Sequence, residues 1–357
     1  ADITVIEGVM GYYDGMDATS CRQSTWEMAR LTQTPALLVV DASGSAASAA
    51  ATVKGFMTLK AESGIAGVLV NRVSGAHHYE LVRDAVAHYT GLPCVGYIEK
   101  NVNLALRSRH LGLVPAEEVA DALPRIREAA RQVADTLDVP MILDLAKRAP
   151  SLPVMPKTYP RMDGFRMGLA RDKAFSFYYR ANLDVLEVMG IELVPFSPLS
   201  DHELPEKLSG LYIGGGFPEV FKSELEANVS MRQSVRAALE NGLPCYAECG
   251  GMMYLSQCID GAEMVGFLPQ TCRMTDRLQR FGYALVTDLK TGRTYPAHEF
   301  HHAVTEATGE AEYDFEIRKA SRPGLCWPGG MHKGHTTAGF AHLHFLSHPE
   351  WIERLWR

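Results

Sequence analysis

The sequence lacks the features that mark several large classes of protein. Its seven cysteines are an odd number at irregular spacing without a Cys-x-x-Cys pair, which favours free thiols in a reducing compartment over a disulfide scaffold. No apolar run approaches the ~20 residues that a membrane-spanning helix needs. Basic residues are not in excess, since the net charge is −7 and the pI is about 6.0. These absences predict a cytoplasmic protein with neither a membrane nor a nucleic-acid partner.

The composition is that of an ordinary globular protein, with 46% hydrophobic and 22% charged residues. A length of 357 residues corresponds to about two domains of the usual size. The first residues, Ile3–Glu7, have the pattern of a buried strand that is already under way. Because chain termini usually lie at the surface, we expect further sequence upstream of Ala1.

Short β-rich runs alternate with amphipathic stretches, which predicts right-handed β–α–β units. We therefore expect an α/β fold with two doubly wound, mainly parallel-sheet domains. In the first half the pattern predicts strands at Ile3–Glu7, Ala36–Asp41, Gly67–Asn71 and Cys94–Ile98, and helices at Thr25–Gln33, Ser45–Lys60, Tyr79–Thr90 and Glu117–Leu137. In the second half it predicts strands at Arg166–Ala170, Glu192–Phe196, Gly210–Ile213, Pro244–Ala247, Arg280–Thr287, Pro296–His302, Phe315–Lys319 and Thr337–Phe345, and helices at Phe177–Met189 and Met231–Asn241.

A proline-rich stretch without periodicity, Arg148–Gly164, separates the two halves. Its prolines oppose both helix and sheet, so the stretch is typical of a linker. We predict a first domain at residues 1–150, a linker at 151–163 and a second domain at 164–357.

A cysteine stands where a short apolar strand meets a glycine pair and a helical pattern. A nucleophile on such a tight turn needs small neighbours because the backbone is strained, and Ala247 and Gly251 meet that need. The start of the following helix favours the reactive thiolate form. We interpret Cys249 as a nucleophile, with a buried structural cysteine as the alternative.

Partners for such a nucleophile occur upstream and downstream. Three glycines, at 214–216, directly follow a predicted strand and could offer N–H groups to an oxyanion, or could form an ordinary turn. On the last predicted strand, His342 and His344 would point to the same face. Two imidazoles could bind a metal, but no third ligand at a fixed spacing is evident, so we favour a general base and its orienting neighbour. The triplet His348-Pro349-Glu350 is a rival for the base.

Nine motifs together resemble the class I glutamine amidotransferases and, among them, the cobyrinic acid a,c-diamide synthase family. In the second half they are FSFYY at 175–179, FSPL at 196–199, GGGFPE at 214–219, AECGG at 247–251, HEFH at 298–301 and AGFAHLHF at 338–345. In the first half they are EGVMGYYDG at 7–15, VNRV at 70–73 and RHLGLV at 109–114.

This resemblance implies that Cys249 attacks glutamine with His342 as its base. Many class I relatives carry a His-x-Glu pair, and His344 stands here at the position of that glutamate, so the resemblance implies a Cys–His dyad and leaves the role of His344 open. An oxyanion site at Gly215, Gly216 and Gly250 is implied as well.

For the first domain the resemblance implies an ATP-dependent synthetase related to dethiobiotin synthetase. The sequence contains no G-x-x-x-x-G-K-S/T motif, so we expect the P-loop upstream in the full protein. Glu7 and Asp41, at predicted strand ends, are candidate Mg²⁺ ligands, or else solvated carboxylates. The resemblance further implies substrate binding at Tyr13 and Asp14 and an adenine contact at Asn71.

Positive charge for a polycarboxylate substrate could come from Arg107, Arg109 and His110, although plain surface basicity explains them equally. The implied activity is ATP- and Mg²⁺-dependent amidation, with glutamine as nitrogen donor, of the a and c acetates of cobyrinate. Hydrogenobyrinate, sirohydrochlorin and Ni-sirohydrochlorin are alternative acceptors. A binding protein without ATP chemistry and a stand-alone glutaminase or cysteine hydrolase are alternative functions, and a homodimer is an open alternative for the assembly.

Overall fold

The computed structural model describes residues 2–8, 10–101, 108–109, 112–113, 122–153, 157–347, 352 and 356. The chain divides into two compact units, unit 1 at Ala1–Met155 and unit 2 at Pro156–Arg357. In the part of the chain that is described, no helix is long and apolar enough to cross a membrane.

Unit 1 contains a three-stranded parallel sheet of order β1-β2-β3, on which α2 and α3 pack. Its helices are α1 (Thr25–Thr32), α2 (Ala47–Leu59), α3 (Ala76–Thr90), α4 (Ala122–Ala134) and α5 (Val139–Ala146), and its strands are β1 (Ala36–Asp41), β2 (Ile65–Val73), β3 (Cys94–Glu99), β4 (Ser108–Arg109) and β5 (Gly112–Leu113). The core of this unit joins Val68 and Val70 of the central strand to Val53 of α2 and Val86 of α3. The strands are apolar without strict alternation, although β1 is exposed on one face, where Val39 is 56% exposed.

The first predicted strand, Ile3–Glu7, is wrong. Its residues belong to no strand, and the side chain of Val5 is 88% exposed. An apolar run becomes a strand only when a neighbouring strand accepts and donates its backbone hydrogen bonds, and the described part of the chain pairs no strand with it. The remaining predicted strands of unit 1 are confirmed.

Unit 2 contains a ten-stranded sheet of order β21-β16-β15-β18-β19-β20-β11-β9-β6-β8. Its helices are α6 (Arg180–Val188), α7 (Lys222–Ala227), α8 (Val229–Glu240) and α9 (Gly250–Leu255), followed by a 3₁₀ turn at Phe345–Ser347. Its strands are β6 (Arg166–Ala170), β7 (Phe175–Phe177), β8 (Glu192–Phe196), β9 (Gly210–Ile213), β10 (Gly215–Gly216), β11 (Cys245–Glu248), β12 (Cys258–Ile259), β13 (Ala262–Glu263), β14 (Gln270–Met274), β15 (Arg280–Asp288), β16 (Thr294–His301), β17 (Ala303–Ala307), β18 (Glu312–Lys319), β19 (Cys326–Lys333), β20 (Thr336–Gly339) and β21 (His342–Leu343).

The large sheet has a parallel half and an antiparallel half. Strands β20, β11, β9, β6 and β8 run parallel, whereas the strands from β19 to β21 pair antiparallel. Both faces are buried, with Ile213 and Ala247 in one apolar cluster and Tyr212 and Tyr246 in the other. In parallel sheets, ligands bind beyond the carboxyl ends of the strands, which places a site after β9 and β11.

The last predicted strand, Thr337–Phe345, is two strands in the structure. The first, β20, lies between β11 and β19, whereas β21 lies on the far edge of the sheet beside β16. The chain leaves one position in the sheet and enters another through Phe340–Ala341. His342 and His344 therefore do not share the face of one continuous strand.

Candidate active site

Cys249 occupies the turn between β11 and α9 with φ 50° and ψ −107°. A residue other than glycine is strained at positive φ and needs support from its surroundings. That support includes a hydrogen bond of 2.7 Å from the Cys249 amide to the Gly339 carbonyl of β20. Because this N–H is occupied, it does not serve an oxyanion at the same time.

Both residues that follow the cysteine must be glycines, because backbone atoms of other segments lie where a Cβ would stand. A Cβ on Gly251 would lie 2.1 Å from the carbonyl oxygen of Ile213, and a Cβ on Gly250 would lie 3.1 Å from the amide nitrogen of Gly216. Neither contact can relax without moving backbone. The turn therefore brings the cysteine against the glycine loop that follows β9.

His342 lies between the thiol and a carboxylate. The imidazole is hydrogen-bonded to Cys249, and its Nδ1 lies 3.5 Å from Oε2 of Glu248. Burial lowers the pKa of His342, but hydrogen bonds and negative charge from Cys249 and Glu248 outweigh burial and raise the pKa from 6.5 to about 10. At neutral pH the imidazole therefore holds a proton on the nitrogen that faces the carboxylate and shares another with the thiol.

Glu248 is a buried carboxylate with a full set of donors, since its side chain is 1% exposed. Its Oε1 accepts hydrogen bonds from the Tyr246 hydroxyl (2.7 Å) and the Leu343 amide (3.0 Å), and its Oε2 accepts one from the Tyr212 hydroxyl (3.1 Å). Several donors to one carboxylate fix its position. The sequence reasoning missed this residue, although a charged residue that ends an otherwise apolar buried strand is a usable signal.

His344, predicted to orient His342, has a different neighbour. Its ring lies 5.2 Å from the ring of Tyr179, and burial together with the nearby Lys157 lowers its pKa. The carboxylate of Glu248 occupies the orienting position beside His342 instead. The rival triplet 348–350 lies outside the described residues.

The glycine loop lies directly beside the cysteine and the histidine. A Cβ on Gly215 would be 2.8 Å from Cε1 of His342 and 3.6 Å from Cβ of Cys249. The loop is held by a hydrogen bond of 2.9 Å from the Gly214 amide to the Tyr178 hydroxyl. The structure thus brings Gly215, Gly216 and Gly250, all proposed from sequence, to one place.

Replacing Gly215 by alanine should lower glutamine hydrolysis by about 10- to 100-fold, because the new methyl group displaces the imidazole of His342. The measurement is kcat together with the melting temperature. Gly324→Ala is the matched control, since a Cβ there meets no atom within 4 Å. Unchanged kcat in the Gly215 variant would contradict the placement of His342.

The acidic candidates of unit 1, Glu7 and Asp41, belong to no cluster of metal-binding side chains among the described residues. Glu7 is exposed in a segment without regular structure. The Oδ1 of Asp41 accepts hydrogen bonds from the amide and hydroxyl of Ser43, and its Oδ2 pairs with Arg72 at 3.1 Å. These contacts, the Ser43 hydroxyl first, lower the pKa of Asp41 but occupy both of its oxygens with donors. No group of three metal-binding side chains exists among the described residues.

The other candidate residues of unit 1 differ in burial and in the element to which they belong. The Tyr13 ring is buried against Phe56 and its hydroxyl donates to the Phe56 carbonyl, which is a structural role, whereas Asp14 is exposed. Asn71 lies in β2 opposite Asp41. Arg109 belongs to β4, whereas Arg107 and His110 lie outside the described residues.

A cleft of about 600 Å³ opens where β1 and β2 end, and cationic and small residues line it. Arg72, His77 and Lys100 supply positive or titratable groups, and Gly44 and Gly75 leave backbone accessible. Such a lining is suited to phosphate or carboxylate groups.

Comparison with known proteins agrees with this geometry. Residues 166–350 match the sequence model of the CobB/CobQ-like glutamine amidotransferase domain family. The cobyrinate a,c-diamide synthase of Listeria innocua serovar 6a is 42% identical over 361 residues, which cover 98% of this chain and 80% of the relative. That of Caldanaerobacter subterraneus subsp. tengcongensis is 38% identical over 368 residues, covering 99% of this chain and 80% of the relative.

Solved structures give more distant likenesses. A glutamine amidotransferase structure is 18% identical with a TM-score of 0.41, over 53% of this chain and 96% of that chain. The structure of PurLQS from Thermotoga maritima is 14% identical with a TM-score of 0.36, over 52% of this chain and 88% of that chain. The sequence identity to the curated relatives, which extends over almost the whole chain, shows that the protein belongs to the cobyrinate a,c-diamide synthase family of glutamine-dependent amidating ligases.

Proposed function

We propose that unit 2 releases ammonia from glutamine and that the enzyme uses it to amidate the a and c acetates of cobyrinate. One observation carries the first part. Cys249 lies on a strained turn and contacts the imidazole of His342, whose Nδ1 faces the carboxylate of Glu248. The second part rests on the names of the relatives.

In the first proposed step, the sulfur of Cys249 attacks the side-chain amide carbon of glutamine. The carbonyl oxygen becomes an oxyanion, which N–H groups at Gly215, Gly216 and Gly250 would stabilise. His342 gives its proton to the amide nitrogen, the C–N bond breaks, and ammonia leaves a γ-glutamyl thioester on the sulfur.

In the second step, water attacks the thioester. His342, now neutral, removes a proton from the water, and glutamate leaves as the C–S bond breaks. Glu248 accepts the Nδ1–H of His342 throughout, which keeps the other ring nitrogen towards the sulfur. The cycle ends with the thiolate and the imidazolium restored.

The amidation itself would consume ATP and Mg²⁺, since a carboxylate must be activated before ammonia can replace its oxygen. Glu7 and Asp41 belong to no cluster of metal-binding side chains among the described residues, so no residue is assigned to that step. The cationic cleft at the ends of β1 and β2 supports binding of an anionic ligand, either the nucleotide or the acceptor.

The test is product formation by the full-length enzyme with ¹⁵N-amide glutamine and each of four acceptors: cobyrinate, hydrogenobyrinate, sirohydrochlorin and Ni-sirohydrochlorin. We expect two labelled amides on cobyrinate with the highest kcat/KM. Faster reaction with another acceptor would move the assignment to that substrate. Glutamate release without any amide would favour a stand-alone glutaminase.

Replacing Arg72 by alanine should raise the KM for ATP about tenfold and leave glutamine hydrolysis unchanged, because the guanidinium lines the cleft beside Asn71. The measurement is ammonia-dependent amidation at varied ATP. Arg83→Ala, an exposed arginine of α3 paired with Asp84, is the matched control. An unchanged KM for ATP would exclude Arg72 from the nucleotide site.

A further inference from the structure

Strand β16 carries a second buried polar pair beside the candidate active site. Its inward face begins with Tyr295 and Ala297, which belong to the apolar core. It continues with Glu299 and His301, whose side chains are 2% and 6% exposed. Removing such groups from water is costly unless partners satisfy them, so a pair at core positions requires an explanation. Both belong to the HEFH motif, and the proposed hydrolysis of glutamine gives no role to this motif.

Each residue of the pair has one buried atom without a hydrogen-bond partner. These atoms are Oε2 of Glu299 and Nε2 of His301, which lie 3.9 Å apart, too far for a hydrogen bond to each other. The Nδ1 of His301 lies 2.8 Å from the Ala303 carbonyl, which can only accept, so Nδ1 carries the proton and Nε2 is an acceptor. Burial lowers the pKa of His301 to about 4, which keeps the ring neutral. The pair thus presents two acceptors and no donor.

The surroundings of Glu299 provide no hydrogen-bond donor for its Oε2. Its other oxygen, Oε1, accepts a long hydrogen bond of 3.4 Å from the Trp327 indole, over which the Arg280 guanidinium lies at 4.5 Å. Burial raises the pKa of Glu299, and the positive charges on Arg280, His342 and Lys319 oppose this effect. These cations act on the charge of the carboxylate without donating a hydrogen bond to Oε2.

The pair is also connected to the turn of Cys249 through the residues that follow β20. The ring of His301 stacks on Phe340, with centroids 3.6 Å apart and planes at 4°. Phe340 directly follows Gly339, whose carbonyl holds the amide of Cys249. Strand β16 also pairs with β21, where Ala297 is opposite Leu343 and His298 is opposite His342, so the pair lies on the face that Leu343 shares. The charge of His342 nevertheless acts on both Glu299 and His301.

We propose that Glu299 and His301 bind the nitrogen product of hydrolysis, as ammonia or ammonium, when it leaves Cys249. The source of that ligand rests on the proposed function. Ammonia and ammonium are small and rich in N–H donors, which matches two buried acceptors, and the carboxylate attracts the charged form. A bound water could also bridge the two atoms and is an outcome of the test.

The first experiment is a crystal of the full chain soaked in thallium(I), a monovalent cation of ammonium's size that scatters anomalously. We expect a peak within hydrogen-bonding reach of Oε2 of Glu299, and its loss in Glu299→Gln. The glutamine side chain brings its own N–H donor to Nε2 of His301, so this variant should fold. Glu316→Gln, on an exposed glutamate of β18, is the matched control and should keep the peak. A water at this place in the wild-type crystal and no thallium peak would overturn the proposal.

The second experiment is inhibition of glutamine hydrolysis by ammonium chloride, with tetramethylammonium chloride as the salt control. In Glu299→Gln we expect the inhibition constant for ammonium to rise at least about tenfold while the KM for glutamine is unchanged. A raised KM with an unchanged inhibition constant would mean that the pair binds glutamine, which overturns the proposal. Hydrolysis that survives in Cys249→Ala would refute the proposed function instead, and the thallium peak would still report on the site.

Discussion

Replacing Cys249 by alanine should lower glutamine hydrolysis by at least about a thousandfold, because no other side chain of the turn can form the thioester. The same variant should retain ammonia-dependent amidation in the full-length enzyme, since added ammonia bypasses the thiol. The measurements are glutamate release and amide formation, each with glutamine or with ammonium chloride as the nitrogen source.

Two comparisons make this result specific. Cys258→Ala removes a half-buried thiol from β12 and should leave both activities within about twofold of wild type. His342→Asn should cost far more activity than His344→Asn, because His342 contacts Cys249 whereas His344 packs on Tyr179. Hydrolysis by Cys249→Ala, or the opposite order for the two histidines, would refute the assignment.

Replacing Glu248 by glutamine should lower kcat for glutamine hydrolysis by about 10²- to 10⁴-fold with little change in KM. The Tyr246 hydroxyl and the Leu343 amide donate to one oxygen of Glu248, whereas Tyr212 and His342 approach the other. A glutamine side chain turns an NH₂ group towards one of these two sets of donors, whichever way it is flipped. In one orientation the NH₂ group faces His342, which loses the acceptor that fixes its tautomer. In the other orientation the NH₂ group faces Tyr246 and Leu343, so the side chain that supports the imidazole loses the donors that hold it in place.

The pH profile separates this positioning role from a structural one. Glu248 helps raise the pKa of His342 to about 10, so its loss should lower that pKa. In the proposed mechanism the imidazolium gives its proton to the leaving nitrogen, so the alkaline fall in kcat/KM should shift to lower pH in Glu248→Gln. Tyr246→Phe is the matched control: it removes one donor to the carboxylate, leaves the charge beside His342, and should keep the position of the alkaline fall. Activity within about threefold of wild type, with the same profile, would show that Cys249 and His342 suffice.

The patterns of short sequence stretches were enough to predict much of the candidate site. A short apolar strand, a cysteine and two glycines within a few residues predict the turn, since a strained residue such as Cys249 needs small residues next to it in sequence. The glycine loop after β9 was predicted for the same reason. Short continuous apolar runs likewise predicted the strands of the parallel half, because burial on both faces of the sheet leaves such a pattern.

The features that depend on contacts between residues far apart in the sequence were not predicted correctly. The apolar run Ile3–Glu7 has the composition of a strand, but pairing decides whether a strand forms. The sequence 337–345 looked like one strand, yet β20 and β21 join opposite parts of the sheet and His344 turns to Tyr179. Alternation describes which face a side chain takes only while the strand is unbroken.

The sequence by itself determined the α/β class, the tight strand-to-helix turn at Cys249 and the family, because these depend on short-range patterns and on motifs that keep their order along the chain. Only the tertiary structure decided which carboxylate supports His342. Glu248 and the Leu343 amide that binds it are 95 positions apart in the chain, and no spacing rule links them. Their contact follows from β20, which pairs with β11 and whose end, Gly339 beside Glu248, leads through two residues into β21. A buried carboxylate is tolerated there only with its donors assembled around it.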